Sequence, residues 1–105
     1  MPRSVNNAKQ GFANVNTVSK TVGATVTTLS ADGRTLTNGV QILANGDNAG
    51  VVYVGVRSNL TAGDNDATDG FPLSAGNSLL LPARHEYDVY LIASAADQKI
   101  HALSF

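Results

Sequence analysis

In residues 86–105, EYDVYLIASAADQKIHALSF, two periodicities compete. Leu91, Ala95 and Gln98 fall at helical spacing, and alanine favours helix. Tyr87, Val89, Leu91 and Ala93 instead share one parity, with Tyr90 and Ile92 on the other, which is the period of two that marks strands. The strand reading uses Ala96-Asp97-Gln98 as a turn. It then predicts a final strand with Ile100, Ala102 and Ser104 facing one way and His101, Leu103 and Phe105 the other.

The rest of the chain favours the strand reading. In VSKTVGATVTTLS (18–30), Val18, Val22, Ala24 and Val26 share one parity with Thr and Ser frequent on the other. Asp32-Gly33 then predicts a turn and a return strand from Arg34, a first hairpin. Asn38-Gly39 and Asn45-Gly46 bracket the short apolar run Val40–Ala44. Val51–Val56 is nearly continuous Val and Tyr, so both faces of that strand are expected to be covered. A fourteen-residue polar loop follows, RSNLTAGDNDATDG (57–70).

Phe71-Pro72-Leu73 reads as a structural corner at a sheet edge that ties the loop down, since proline lacks a ladder donor. Ser74–Asn77 is a turn, and SLLLP (78–82) reads as a core strand ended by Pro82. Seven or eight short strands separated by regular turn signals predict an all-β fold, a single small β-sandwich of jelly-roll type, with a small barrel as the neighbouring possibility. Residues 1–17 contain four Asn and isolated apolar side chains. They are expected to form an extended N-terminal arm that cannot offset its own ordering entropy unaided, leaving 18–105 as the sandwich.

Composition narrows the functional classes. At 105 residues there is room for one core. Seven Lys and Arg against eight Asp and Glu, scattered along the chain, give no electrostatic footprint for nucleic acid. With no cysteine, disulfides and thiolate metal sites are excluded. No apolar run approaches a membrane span, and MPRSVNNAKQ lacks the apolar segment of a secretion signal, so the chain reads as soluble and made in the cytoplasm.

No reactive constellation stands out. Asp64, Asp66 and Asp69 form an acidic cluster on what is expected to be an exposed loop. Counted from Asp64, however, an EF-hand would meet Thr68 at position 5, Asp69 at 6 and Ala75 at 12, where it needs an oxygen ligand, glycine and glutamate. His85 and His101 could serve acid–base chemistry beside Glu86 or Asp88, but adjacent residues on an extended segment point apart, and solvated turn residues are the expected outcome for His85 and Glu86. Neither a nucleophile elbow nor a phosphate loop occurs. Tyr53, Tyr87 and Tyr90 at strand spacing would suit packing, or a platform for sugar rings. Neither catalytic nor metal residues nor a cofactor are expected.

From Val40 to Phe105 the sequence resembles a small β-structured virion protein of tailed bacteriophages, on GVVYVGV (50–56), GFPLSAGNSLLLP (70–82) and YDVYLIASAADQKIHALSF (87–105). The resemblance implies a jelly-roll or related sandwich used as a capsid decoration, head-fibre base or connector component in several copies. It implies a virion location, major capsid protein or other virion proteins as partners, and a homo-oligomer, with a trimer expected. Pro2, Arg3, Val5, Phe12 and Val15 are the expected capsid or subunit contacts, with avidity turning weak single contacts into a durable shell. The competing expectation is a receptor- or glycan-binding module of a fibre or tail.

Overall fold

A computed structural model describes residues 15–105. The contacts expected at Pro2, Arg3, Val5 and Phe12 lie outside the described residues, while Val15 is exposed just ahead of the first strand. The strands are β1 (Asn16–Val22), β2 (Thr27–Thr28), β3 (Val40–Ala44), β4 (Val52–Gly55), β5 (Phe71–Leu73), β6 (Ser78–Leu81), β7 (Tyr90–Ala93) and β8 (Gln98–Ser104). One 3-10 turn, Glu86–Asp88, precedes β7. The stretch with two competing periods therefore forms two strands. Asp97 takes the left-handed backbone, φ 61°, that turns the chain between them.

The strands form two four-stranded sheets, ordered β1-β8-β3-β6 and β2-β7-β4-β5. All six strand pairings are antiparallel, and they nest: β4 with β5, β3 with β6, β2 with β7, β1 with β8. The chain is all-β, and the inner faces of the sheets meet in one aliphatic core. Val22, Val40, Ile42 and Ile100 from the first sheet pack with Val52, Leu73, Leu91 and Ala93 from the second, and Leu29, Leu36 and Val89 join from connecting segments. Burying such a side chain contributes roughly 1.5–3 kcal/mol, so this layer dominates the favourable side of folding.

Three expectations change. The first hairpin does not form, because β1 ends at Val22 and β2 belongs to the opposite sheet. Ala24 is exposed, and Asp32 accepts from the Arg34 backbone N–H (2.8 Å) and guanidinium (2.8 Å) within a turn from which no strand emerges at Arg34. Leu29 and Leu36 decide this path: both are drawn into the core, tied by Leu29 N–H to Val89 O and Leu36 N–H to Arg84 O. Second, Leu79–Leu81 forms an edge strand rather than a core strand. Leu79 and Leu81 lean on the core, while Leu80 between them is 54% exposed. Third, Phe71 is 57% exposed on edge strand β5, and of the tripeptide only Leu73 reaches the core. The loop is fastened instead by Leu60, 4% exposed, lying where a Cβ on Gly55 would stand and against Gly70.

Gly39 closes the end of the sandwich near the C-terminus. It exchanges hydrogen bonds with Phe105 in both directions at 2.9 Å and holds φ at +129°, and a Cβ there would stand 2.3 Å from Leu81 O. Only glycine meets both conditions. Gly39→Ala should destabilise the chain by roughly 2–4 kcal/mol in urea unfolding. Gly46→Ala, where nothing lies within 4 Å and φ is not positive, should change it by less than about 0.5 kcal/mol.

Candidate functional site

The outer face of the β1-β8-β3-β6 sheet carries an apolar surface feature. Strand register builds it in rows. Thr17, Leu103, Gln41 and Leu80 lie side by side across the four strands, and Ser19, His101, Leu43 and Ser78 form the next row. Leu43 (41% exposed), Leu80 (54%) and Leu103 (39%) thus surround Gln41 as one apolar patch. Leu103 and Leu80 flank Gln41 on either side, and Leu43 lies diagonal to both at about 7–8 Å, within reach of long side chains. A shallow groove of about 490 Å³ runs between Thr17, Ser19, Leu43 and Leu103. Outward positions of an antiparallel sandwich are ordinarily polar.

Among the described residues His101 is the one titratable group in this groove, and its partners fix its role. Its Nδ1 lies 3.1 Å from Ser19 Oγ and its Nε2 lies 3.0 Å from Asn45 Nδ2. Asn45 Oδ1 already accepts the Asp47 N–H at 2.8 Å, so Asn45 presents its NH₂ to the ring. Nε2 is therefore the acceptor, and Nδ1 carries the proton and donates it to Ser19. The ring has no free lone pair toward the Ser19 hydroxyl, and no carboxylate is among its hydrogen-bond partners, so this arrangement does not activate a nucleophile.

Two of the three loop aspartates, Asp66 and Asp69, turn their carboxylates on the loop itself. Asp69 Oδ1 accepts from Thr61 Oγ1 (2.8 Å) and the Asp64 N–H (2.9 Å), while Oδ2 accepts from the Asn65 N–H (2.6 Å). Asp66 Oδ1 caps the N–H of Thr68 (2.8 Å) and accepts from its hydroxyl. Arg57 reaches the Ala67 carbonyl at 3.2 Å. Among the described residues no three His, Cys, Asp or Glu side chains gather as metal ligands.

Glu86 differs from the solvated turn residue expected. It is 1% exposed, and its Oε2 accepts from Asn16 Nδ2 at 3.0 Å and from Ser104 Oγ, while Oε1 has no partner among the described residues. Its role is to tie the first residue of β1 to the last of β8. His85 Nδ1–H donates to Arg34 O at 3.2 Å, and its ring stacks on Tyr87 with centroids 4.7 Å apart. Tyr87 therefore stands on the 3-10 turn, whereas Tyr53 and Tyr90 occupy the outer face of the second sheet, half-buried. A Cβ on Gly63 would lie 3.4 Å from the Tyr53 hydroxyl, which places the loop over that ring. The expected cover on the second face of β4 is thus the chain's own loop.

Sequence reasoning missed the leucine face and the Leu60 anchor. A signal for the first was present: three consecutive leucines in a strand must turn at least one outward. The chain matches no family model, no characterised protein and no solved structure.

For Asp69, desolvation is the largest influence and pushes its carboxyl up. It is outweighed by the Asp64 N–H, the Thr61 hydroxyl and the N–H groups of Asn65 and Gly63, which together hold it below the usual carboxylate range. A depressed folded value means the stabilisation is complete above the ordinary carboxylate range and is lost as pH falls through the folded value. Amide resonances of Asp64 and Asn65 should therefore hold at neutral pH and shift only at strongly acid pH. Asp69→Asn should move them already at neutral pH while the core strand amides stay in place. Unmoved loop amides in that variant would refute the capping role.

Proposed function

We propose that this chain is a non-enzymatic structural protein that works by docking, with the outer face of the β1-β8-β3-β6 sheet as its contact with further copies of itself. The carrying observation is the leucine patch around Gln41: three large apolar side chains stand outward on this face, uncovered among the described residues. The specific form of the proposal is a bacteriophage virion protein, a decoration or cement protein that binds the assembled head as a homo-oligomer, a trimer by preference. The sequence resemblance supports it, and so does the nested 1-8, 2-7, 3-6, 4-5 pairing, which suits a jelly-roll winding.

Magnitudes shape the proposal. A specific interface buries roughly 1,200–2,000 Å² in total. Four strands about 4.8 Å apart and five residues long at about 3.4 Å offer a planar face of roughly 300 Å² per copy. The face alone falls short, so the segment leading to Val15, with Arg3, Val5 and Phe12, is assigned the remaining contact with the capsid protein or with neighbouring subunits.

Sedimentation velocity on the full chain tests the face directly. The wild type should self-associate with rising concentration. Leu43→Asp combined with Leu103→Asp should weaken association at least about tenfold, because centrally placed interface side chains carry roughly 1–2 kcal/mol or more each. The melting transition should be nearly unchanged, since both positions face outward. A wild-type chain that stays monomeric throughout its soluble range would overturn this reading.

A further inference from the structure

We infer that Asn45-Gly46 is a modification site, an asparagine whose deamidation reverses the hydrogen-bond chain Asn45–His101–Ser19 on the outer sheet face. The inference stands apart from the docking reading, since it concerns the chemistry of one turn. The chain has two Asn-Gly pairs, Asn38-Gly39 and Asn45-Gly46. Their surroundings separate them.

Deamidation begins when the backbone nitrogen of the following residue attacks the asparagine Cγ. At Gly39 that nitrogen is engaged, donating to Phe105 O at 2.9 Å in a buried position. The Gly46 N–H has no acceptor among the described residues, the residue is exposed, and nothing lies within 4 Å of where a Cβ would stand. The Asn45 carbonyl is also polarised: Oδ1 accepts the Asp47 N–H at 2.8 Å, a donor aimed at the oxygen on which negative charge develops. The turn itself is held in place, because Asn48 N–H donates to Asn45 O at 3.1 Å and the Asn48 side chain exchanges hydrogen bonds with the Lys99 backbone at 2.8 Å in each direction.

The step balances without any redox partner. A bond forms between Gly46 N and Asn45 Cγ, and the Cγ–Nδ2 bond breaks. Ammonia leaves with the side-chain NH₂ and the hydrogen from Gly46 N. Water then opens the cyclic imide at either carbonyl, giving aspartate or isoaspartate. In the aspartate product an acceptor-only carboxylate replaces the NH₂ that donated to His101 Nε2 at 3.0 Å. Nε2 must then carry a proton and donate, and in the neutral ring this frees Nδ1 to accept from the Ser19 hydroxyl 3.1 Å away. The groove gains a negative charge at its rim, and Ser19 gains a proton acceptor.

Two measurements test this. The purified full chain, aged at neutral pH and physiological temperature, is digested and mapped by mass spectrometry for the amide-to-acid mass gain. Position 45 should convert roughly tenfold or more faster than Asn38, because attack from Gly39 first forfeits a buried hydrogen bond. Gly46→Ala should slow conversion at 45 and leave the fold intact. Conversion at 45 no faster than at 38 would overturn the site. Separately, ¹⁵N resonances of the His101 ring should show Nε2 unprotonated in the wild type and protonated in Asn45→Asp. An Nε2 that stays unprotonated in the variant would overturn the reversal.

Discussion

Strand β8 is hydrogen-bonded along both its edges, to β1 on one side and β3 on the other, and its alternation sorts the side chains of a whole sheet. Ile100, Ala102 and Ser104 face inward opposite Lys20, Val18 and Asn16 on β1 and Ala44, Ile42 and Val40 on β3. His101 and Leu103 face outward in register with Leu43 and Gln41. A slip of one residue would exchange the two sets, driving His101 and Lys99 into the core and expelling Ile100. The same register creates the outer leucine patch and sets His101 beside Ser19, so fold and surface chemistry share one cause. Glu86 fixes the end of this arrangement by binding Asn16 and Ser104, which are partners in the register.

The opposite sheet solves a different problem. Its edge strands are short, two residues in β2 and three in β5, and β5 carries Pro72, which cannot donate to an added strand. Between β4 and β5 lies the long loop, which has little apolar material of its own. One leucine and two glycines hold it. Leu60 fills the space that side chains at Gly55 and Gly70 would take, and a Cβ on Gly70 would come within 2.9 Å of the Val54 backbone. Above that anchor, Asp69 and Asp66 supply acceptors to backbone donors that no strand satisfies. Asp66 and Asp69, two of the three aspartates that suggest a metal loop in the sequence, are the loop's own framework.

The legible part of the fold is the part governed by period two. QKIHALS and YLIA alternate clearly, and their inward residues follow from the sequence. The illegible part depends on contacts distant in sequence. Val18, Val22 and Val26 share a parity, yet Val26 sits past a break, because Leu29 and Leu36 are drawn between the sheets and carry the chain across. Nothing local to DGR distinguishes a hairpin turn from a connecting turn pinned by an Asp32–Arg34 ion pair at 2.8 Å. Phe71 misleads in the same way. An aromatic beside proline looks like an anchor, and its place at a sheet edge is as expected, but Phe71 stands exposed there while the unassuming Leu60 is opposite two glycines. The burial of Glu86 was equally hidden, since its partners Asn16 and Ser104 are 70 and 18 residues away.

Most of the polar side chains that could carry chemistry are hydrogen-bonded within the chain. In this chain His101 is bonded at both nitrogens, His85 is bonded and stacked, and Asp69 is bonded at both oxygens. What the open sheet face still offers a partner is apolar area framed by hydroxyl and amide groups, at Leu43, Leu80 and Leu103 beside Thr17, Ser19 and Gln41. The proposed docking role would use that combination, with many weak burials adding through avidity. The unengaged Gly46 N–H is at the margin of this surface, and it is there, on the one turn tied to the His101 chain, that covalent change can reach the face.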